Sequence, residues 1–121
     1  MVGVRVELDV DRVAKLEGIL GADLGQIVAS LVASMATQVD RAEQALQAER
    51  LQDVTQAVHQ CRNDALMVGA QPLLARLNDV EHASRRGRLQ ETRAAMQRLR
   101  EVWPETRDEL QRVVHPGPNG G

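Results

Sequence analysis

The apolar residues of this chain recur at steps of three and four along several long stretches, and glycine or proline separates one stretch from the next. This spacing puts the apolar side chains on one face of a helix, whereas a half-buried strand would alternate them with polar residues. The pattern therefore predicts an all-α fold. In the second stretch the predicted apolar stripe comprises Leu24, Ile27, Leu31, Met35, Ala42 and Leu46.

Helix-capping signals give approximate bounds for the predicted helices. Gly69 is a natural structural cap at the C-terminal end of the third helix, and Pro72 suits the first turn of the fourth. Pro104 must kink or restart the fifth helix, because proline lacks an amide hydrogen and clashes with the preceding turn. The predicted helices span about residues 10–20, 23–48, 51–68 and 72–87, and the fifth begins near residue 88. The apolar seam of the fifth comprises Leu89, Met96, Leu99, Trp103 and Leu110.

Four long amphipathic helices with short connections predict an antiparallel four-helix bundle. The short additional N-terminal helix is expected to cap one end of that bundle. We therefore divide the chain into an N-terminal arm (1–8), a four-helix bundle domain (9–114) and a flexible C-terminal tail (115–121). The tail is rich in proline and glycine and cannot hold regular structure.

The composition excludes several classes of function. The chain has 121 residues, enough for one compact domain, and 43% of them are apolar, with one Trp and no Phe or Tyr. The formal net charge of −2 lacks the excess of cations that nonspecific nucleic-acid binding needs. No apolar stretch approaches the length of a membrane span, and no secretory signal follows Met1. We predict a cytoplasmic location without membrane contact, either as a free protein or as the soluble end of a longer one.

Cysteine and histidine residues are too few to form a metal site. The single cysteine, Cys61, excludes an internal disulfide and a cysteine-rich zinc site, and we expect its side chain to be a small buried hydrophobe. His59, His82 and His115 do not form a ligand pattern. Neither a Ser-His-Asp arrangement nor a Gly-rich phosphate loop is present. The sequence thus predicts no metal and no cofactor.

The third predicted helix turns one histidine away from the core. A helix advances about 100° per residue, so an apolar stripe lies within roughly 60° of Val54, whereas His59 lies about 140° from it. The stripe comprises Val54, Ala57, Val58, Cys61, Ala65 and Val68. The helix can bury this stripe and still present the imidazole to solvent. The outer face around His59 carries Thr55, Arg62, Asn63 and Leu66.

The segment from His59 to Ala70, His-Gln-Cys-Arg-Asn-Asp-Ala-Leu-Met-Val-Gly-Ala, resembles the signature of histidine-containing phosphotransfer (Hpt) domains, H-x-L-K-G-x-x-x-x-x-G-A. The histidine, the basic residue three positions later and the Gly-Ala pair are in register. The resemblance extends over residues 9–112 through the predicted order of the helices. It implies a phosphorelay intermediate, a phosphocarrier without kinase activity of its own.

The resemblance also implies roles for individual residues. His59 is the expected phosphoacceptor, which takes a phosphoryl group from an aspartate of one receiver domain and passes it to another receiver. Arg62 is expected to stabilise the phosphoryl group, a role that the family usually gives to lysine. Glu81, on the adjacent helix, is a candidate for orienting the imidazole. Further residues expected near the site or in docking are Thr55, Asn63 and Leu66. The expected partners are receiver domains and a hybrid sensor kinase, the metal ion belongs to the receiver, and the chain is expected to be a monomer.

The sequence departs from the family signature at two positions and leaves alternatives open. Asn63 stands where the family has glycine, and Asp64 follows where serine is common; we expect Asp64 to lie on the other flank of the helix and to pair with an arginine. One alternative is a degenerate Hpt-like adaptor that binds receiver or kinase domains without phosphotransfer. Another is an oligomerisation module in which subunits share the seams of the second and fifth helices. The arginine cluster Arg85, Arg86, Arg88 and Arg93 is interpreted as a solvated face, with steering toward an acidic receiver as its alternative function.

Overall fold

The computed structural model describes residues 24–114 of the chain. It contains four helices, α1 (Leu24–Gln47), α2 (Leu51–Val68), α3 (Gln71–Arg85) and α4 (Leu89–Val114). Helix α1 packs on α2 and α4, and α3 packs on the same two helices, so the four form a closed bundle. Connections of two or three residues reverse the chain between consecutive helices. The predicted four-helix bundle is confirmed. The N-terminal arm, the short first helix and the C-terminal tail of the prediction lie outside the described residues.

Helix α2 ends at the predicted cap, a glycine in the left-handed conformation. Gly69 has φ 66° and ψ 33°. Its amide donates to the Leu66 carbonyl at 3.2 Å, and the Ala70 amide donates to the Ala65 carbonyl at 3.1 Å. These two bonds form the Schellman arrangement, which satisfies carbonyls that the last turn of a helix leaves free. The turn holds α3 at a fixed place beside α2.

Helix α2 buries the predicted stripe completely. Val54, Ala57, Val58, Cys61, Ala65 and Val68 are all buried. In α1 the prediction was partly wrong, because Ile27 and Leu31 are only half-buried. The buried face of α1 comprises Val28, Val32, Met35, Val39, Ala42 and Leu46. Two neighbouring rows of this helix are apolar, and contact with both α2 and α4 decides which row faces the centre of the bundle.

Helix α4 runs without interruption through Pro104, so the helix does not restart there. Proline removes one amide donor, but the turns on both sides are held by packing of the seam against the bundle. Met96, Leu99, Trp103 and Leu110 are buried, and Leu89 is half-buried. Most of the two seams that the oligomerisation alternative would share between subunits is therefore buried within one chain, although Ile27, Leu31 and Leu89 are half-buried. No helix in residues 24–114 is long and apolar enough to cross a membrane.

Candidate functional site

His59 lies in the middle of α2, on the side opposite the buried stripe. Its side chain is 48% exposed. The helical wheel predicts this position, because His59 lies about 140° from the centre of the apolar stripe at Val54. An imidazole in this place can be approached by a partner without any opening of the bundle.

A buried carboxylate on α3 lies beneath the imidazole. Glu81 is 4% exposed, and its Oε2 is 3.5 Å from His59 Nδ1. Arg62 Nη1 donates to Glu81 Oε1 at 3.1 Å and to Asn78 Oδ1 at 3.3 Å. The structure thus brings together three residues that the sequence predicts for the site: His59 and Arg62 on α2, and Glu81 on α3. Because Nδ1 faces the carboxylate, Nε2 is the ring nitrogen left for chemistry with a partner.

Arg85 belongs to the same cluster, although the sequence analysis assigned it to a solvated face. Its Nη2 is 2.8 Å from Glu81 Oε2, across one turn of α3. Two guanidinium groups therefore compensate the charge of the buried carboxylate, one from each helix. The signal that could have indicated Arg85 is the i, i+4 spacing of Glu81 and Arg85 on a single helix.

A hydroxyl pair connects the two helices at one side of His59. Thr55 Oγ1 and Ser84 Oγ are 2.6 Å apart. The Thr55 hydroxyl is also within bonding distance of the Leu51 carbonyl, and Ser84 of the Glu81 carbonyl, so both groups are satisfied. Ser84 is buried and was not predicted. The pair fixes α3 against α2 at the level of the imidazole, and it therefore supports the position of Glu81.

The comparisons with known proteins agree with this geometry. The family model of the Hpt domain matches residues 26–115. The chain belongs to the Hpt domain family. No curated protein matches its sequence. Among solved structures, the chain is similar to the histidine-containing phosphotransfer protein B of Pseudomonas aeruginosa, with a TM-score of 0.83 and 20% identity over 88% of this chain and 93% of that one.

Membership of the family gives this Hpt domain a role in histidine phosphotransfer within phosphorelay signalling. Hpt domains are phosphocarriers that interact with receiver domains, and they are not kinases. At 20% identity the solved structure supports the fold alone.

The outer face of α2 beyond His59 carries two large apolar side chains. Leu66 is 41% exposed and Met67 is 45% exposed, and Asn63 lies exposed between them and the imidazole. Leu66 and Asn63 were predicted on this face, whereas Met67 was not. Met67 lies about 80° around the helix from His59, so the wheel places it at the margin of that face. Two large apolar side chains side by side in water are typical of a contact surface.

A shallow groove lies on the other side of the imidazole. It is lined by Thr55, Gln56, His59, Gln60 and Arg85. Two glutamine side chains and a guanidinium thus border the exposed part of His59. The groove is polar enough to accept a charged group at the ring.

The Hpt domain directs Asp64 away from His59. Asp64 Oδ2 accepts a hydrogen bond from Ser34 Oγ at 2.6 Å, so its carboxylate is turned toward α1. Within residues 24–114, Asp64 does not make the predicted pair with an arginine. The Ser34 hydroxyl on α1 is within reach of this flank and is the hydrogen-bond donor to the half-buried carboxylate. The departure from the family signature at this position therefore adds no negative charge beside the imidazole.

Cys61 is a buried cysteine whose thiol has low reactivity. Burial, together with a smaller effect of the nearby Asp64 carboxylate, raises the pKa of its thiol to about 12. A thiol must lose its proton to become a nucleophile or a metal ligand. Within residues 24–114, no three side chains of the metal-binding types lie close enough together to hold an ion. His82 is exposed on α3, and His115 lies outside the described residues.

Proposed function

We propose that this Hpt domain accepts a phosphoryl group on His59 from an aspartate of one receiver domain and passes it to an aspartate of another. One observation carries the proposal. A half-exposed imidazole has its Nδ1 turned to a buried carboxylate, 3.5 Å away, and so leaves Nε2 free to react. Histidine is suited to this chemistry because its neutral form is available near pH 7.

The bonds that form and break in the transfer step belong to His59 and the aspartyl phosphate alone. The lone pair of His59 Nε2 attacks the phosphorus of the aspartyl phosphate, and a nitrogen–phosphorus bond forms. The bond between phosphorus and the aspartate oxygen breaks, and its electron pair stays on the aspartate as a carboxylate. The proton on Nδ1 remains on the ring, which therefore becomes positively charged. Transfer to the second receiver is the same step in reverse.

Glu81 supports this step as a positioning residue. Its carboxylate lies on the Nδ1 side of the ring and offsets the positive charge that the ring acquires. Because Glu81 is almost fully buried, water screens this interaction less than it would at the surface. The carboxylate also favours the tautomer that carries its proton on Nδ1, which is the tautomer with a free lone pair on Nε2.

Arg62 is proposed to stabilise the phosphoryl group. Both of its hydrogen bonds, to Glu81 and Asn78, use Nη1. Nη2 and Nε of the guanidinium are therefore available as donors to phosphoryl oxygens. Asn63, one turn from His59, can add a neutral amide donor from the position where the family has glycine.

The partner surface is proposed to extend from His59 along the outer face of α2. Leu66 and Met67 provide its apolar part, and Thr55 borders the groove on the other side of the ring. The partners on this surface are receiver domains, one of which can belong to a hybrid sensor kinase. We propose that the chain acts in the cytoplasm as a monomeric phosphocarrier with no cofactor, either free or as the soluble end of a membrane-bound sensor kinase.

A transfer assay tests the proposal. The chain is mixed with a receiver that carries a radiolabelled aspartyl phosphate, and the label on the chain is measured. We expect an acid-labile, alkali-stable label that His59→Gln abolishes. His82→Gln is the matched control, because His82 is also an exposed histidine but lies on α3, outside the groove. The control should take the label like the original chain, and both variants should keep the helical circular dichroism spectrum.

The same assay separates phosphotransfer from the adaptor alternative. An adaptor would bind the receiver with equal affinity before and after His59→Gln and would never take the label. A chain that binds but stays unlabelled at every receiver concentration would therefore overturn the proposal.

A further inference from the structure

Two side chains compete for one oxygen of Glu81. Oε2 is 2.8 Å from Arg85 Nη2 and 3.5 Å from His59 Nδ1. The other oxygen, Oε1, is already bound by Arg62 at 3.1 Å. Within residues 24–114, the imidazole is thus the partner of this carboxylate with the longest contact.

The distance from His59 to Glu81 is too long for a normal hydrogen bond. An N–H···O bond has its donor and acceptor about 2.7–3.2 Å apart, and the interaction weakens steeply beyond that. The guanidinium of Arg85 carries a permanent charge and makes the closer contact, so Arg85 is the stronger competitor for Oε2. The occupation of Oε2 by Arg85 explains why the imidazole is oriented toward Glu81 but not bonded to it.

Arg85 is free to move toward a phosphoryl group. Its side chain is 64% exposed, and it lines the same groove as His59. A phosphoryl group on a protein side chain carries roughly −1.5 to −2 charges near pH 7. That charge lies in the groove, in water, where a guanidinium reaches it without the cost of entering the bundle. Glu81, in contrast, is buried and cannot follow Arg85 outward.

We infer that Arg85 is a positioning residue that releases Glu81 to His59 when the phosphoryl group arrives; the inference rests on the proposed function. Before transfer, Arg85 holds Oε2. During transfer, Arg85 turns to the phosphoryl oxygens, and the Nδ1–H group of the ring donates a hydrogen bond to Oε2. The positive charge that the ring acquires when Nε2 binds phosphorus then meets a carboxylate that is no longer paired with Arg85. When the group leaves, Arg85 returns.

The spectrum of the imidazole nitrogens tests this exchange directly. The chain is labelled with ¹⁵N-histidine, and the Nδ1 and Nε2 shifts of His59 are recorded before and after phosphorylation by the receiver. In the original chain, the signature of an Nδ1–H hydrogen bond to a carboxylate should appear only after phosphorylation. In Arg85→Ala it should be present before phosphorylation and should change little afterwards. Arg85→Lys should lie between the two, because lysine keeps the charge without the planar head.

Transfer kinetics give a second readout. Arg85→Ala should take the label about tenfold more slowly, the size expected for the loss of one charge-assisted hydrogen bond. Arg86→Ala is the matched control, because it removes the same charge from an exposed position one residue away, outside the groove. It should leave the spectrum and the rate unchanged.

The outcomes distinguish this inference from the proposed function. If the original chain takes the label and Arg85→Ala has the original imidazole spectrum in both states, the inference is wrong and the proposed function stands. If Arg86→Ala slows transfer as much as Arg85→Ala, the effect is one of overall charge, and the inference is again wrong. If the original chain takes no label at all, both the inference and the proposed function are wrong.

Discussion

At the scale of single residues, the site depends on how Glu81 is held. A carboxylate almost without exposure is stable only when its charge is compensated, and here Arg62 and Arg85 supply that compensation from two helices. The network leaves no buried side-chain nitrogen or oxygen atom without a hydrogen-bond partner among the described residues. Among the described residues around Glu81, the imidazole makes the longest contact, and this looser contact suits a group that partners must approach.

Cys61, two residues after His59 and on the buried face of α2, offers a test of the interior. With its pKa raised to about 12, the thiol stays protonated in the folded chain at pH 8. Alkylation of Cys61 by iodoacetamide at this pH should therefore be about a thousandfold slower in buffer than in denaturant, since the reactive form is the thiolate. Rapid alkylation in buffer, at a pH where circular dichroism shows the helices intact, would contradict the burial of this thiol.

The same shift predicts how stability depends on alkaline pH. The folded-state pKa of Cys61 lies above the ordinary value of 9.0, so the proton is bound more tightly in the folded chain. This contribution is fully present below pH 9.0 and is lost as the pH rises toward 12. The free energy of unfolding should therefore fall between pH 8 and pH 10, and the fall should be smaller in Cys61→Ala, which lacks the thiol. Urea unfolding at the two pH values measures both differences.

At the scale of the elements, the connections show what a sequence can and cannot specify. Gly69, the predicted cap, has a positive φ, and so does Gly87 at the predicted end of the next helix. Glu49, in the connection between α1 and α2, also has a positive φ of 59°, and no residue type announces it. Its amide and that of Arg50 donate to the Leu46 and Ala45 carbonyls, the same bonding pattern that glycine makes in the other two connections. Tertiary packing of α1 on α2 therefore imposes this turn against the local preference of the residue.

Gly87 gives a prediction about these turns. The space around it is open, so a methyl group would contact nothing within 4 Å, but its φ of 70° disfavours any side chain. Gly87→Ala should lower the free energy of unfolding by roughly 1–2 kcal/mol through backbone strain alone. Urea unfolding measures the change, and transfer to His59 should stay normal because the helices keep their places. A neutral effect of Gly87→Ala, with no gain or loss of stability, would show that the turn is not strained.

At the scale of the whole molecule, the bundle and the outer position of His59 could be predicted from the sequence, but the cluster around Glu81 could be predicted only in part. The stripe of α2 is narrow and bounded by polar residues, so the wheel alone orients the helix. Helix α1 has two apolar rows, and only its packing partners choose between them. Contacts between helices, such as Thr55 with Ser84 and Asp64 with Ser34, depend on the axial register of the bundle, which periodicity does not specify.

The core predicts cooperative unfolding. Leu77 is fully buried on α3, and Trp103 is buried on α4, where its fluorescence reports on the interior. Leu77→Ala should lower the free energy of unfolding by about 2–5 kcal/mol, because the deletion leaves a cavity among packed side chains. Trp103 fluorescence and circular dichroism should give the same urea midpoint. Two separate midpoints would mean that the helices do not share a single core.

The central claim is that the chain carries phosphate on His59, and locating the phosphoryl group on the chain tests it most directly. After reaction with a phosphorylated receiver at neutral pH, tandem mass spectrometry under alkaline handling identifies the modified residue. The account predicts one phosphoryl group, on His59. Modification of His82 or of another side chain, with His59 unmodified, would contradict it.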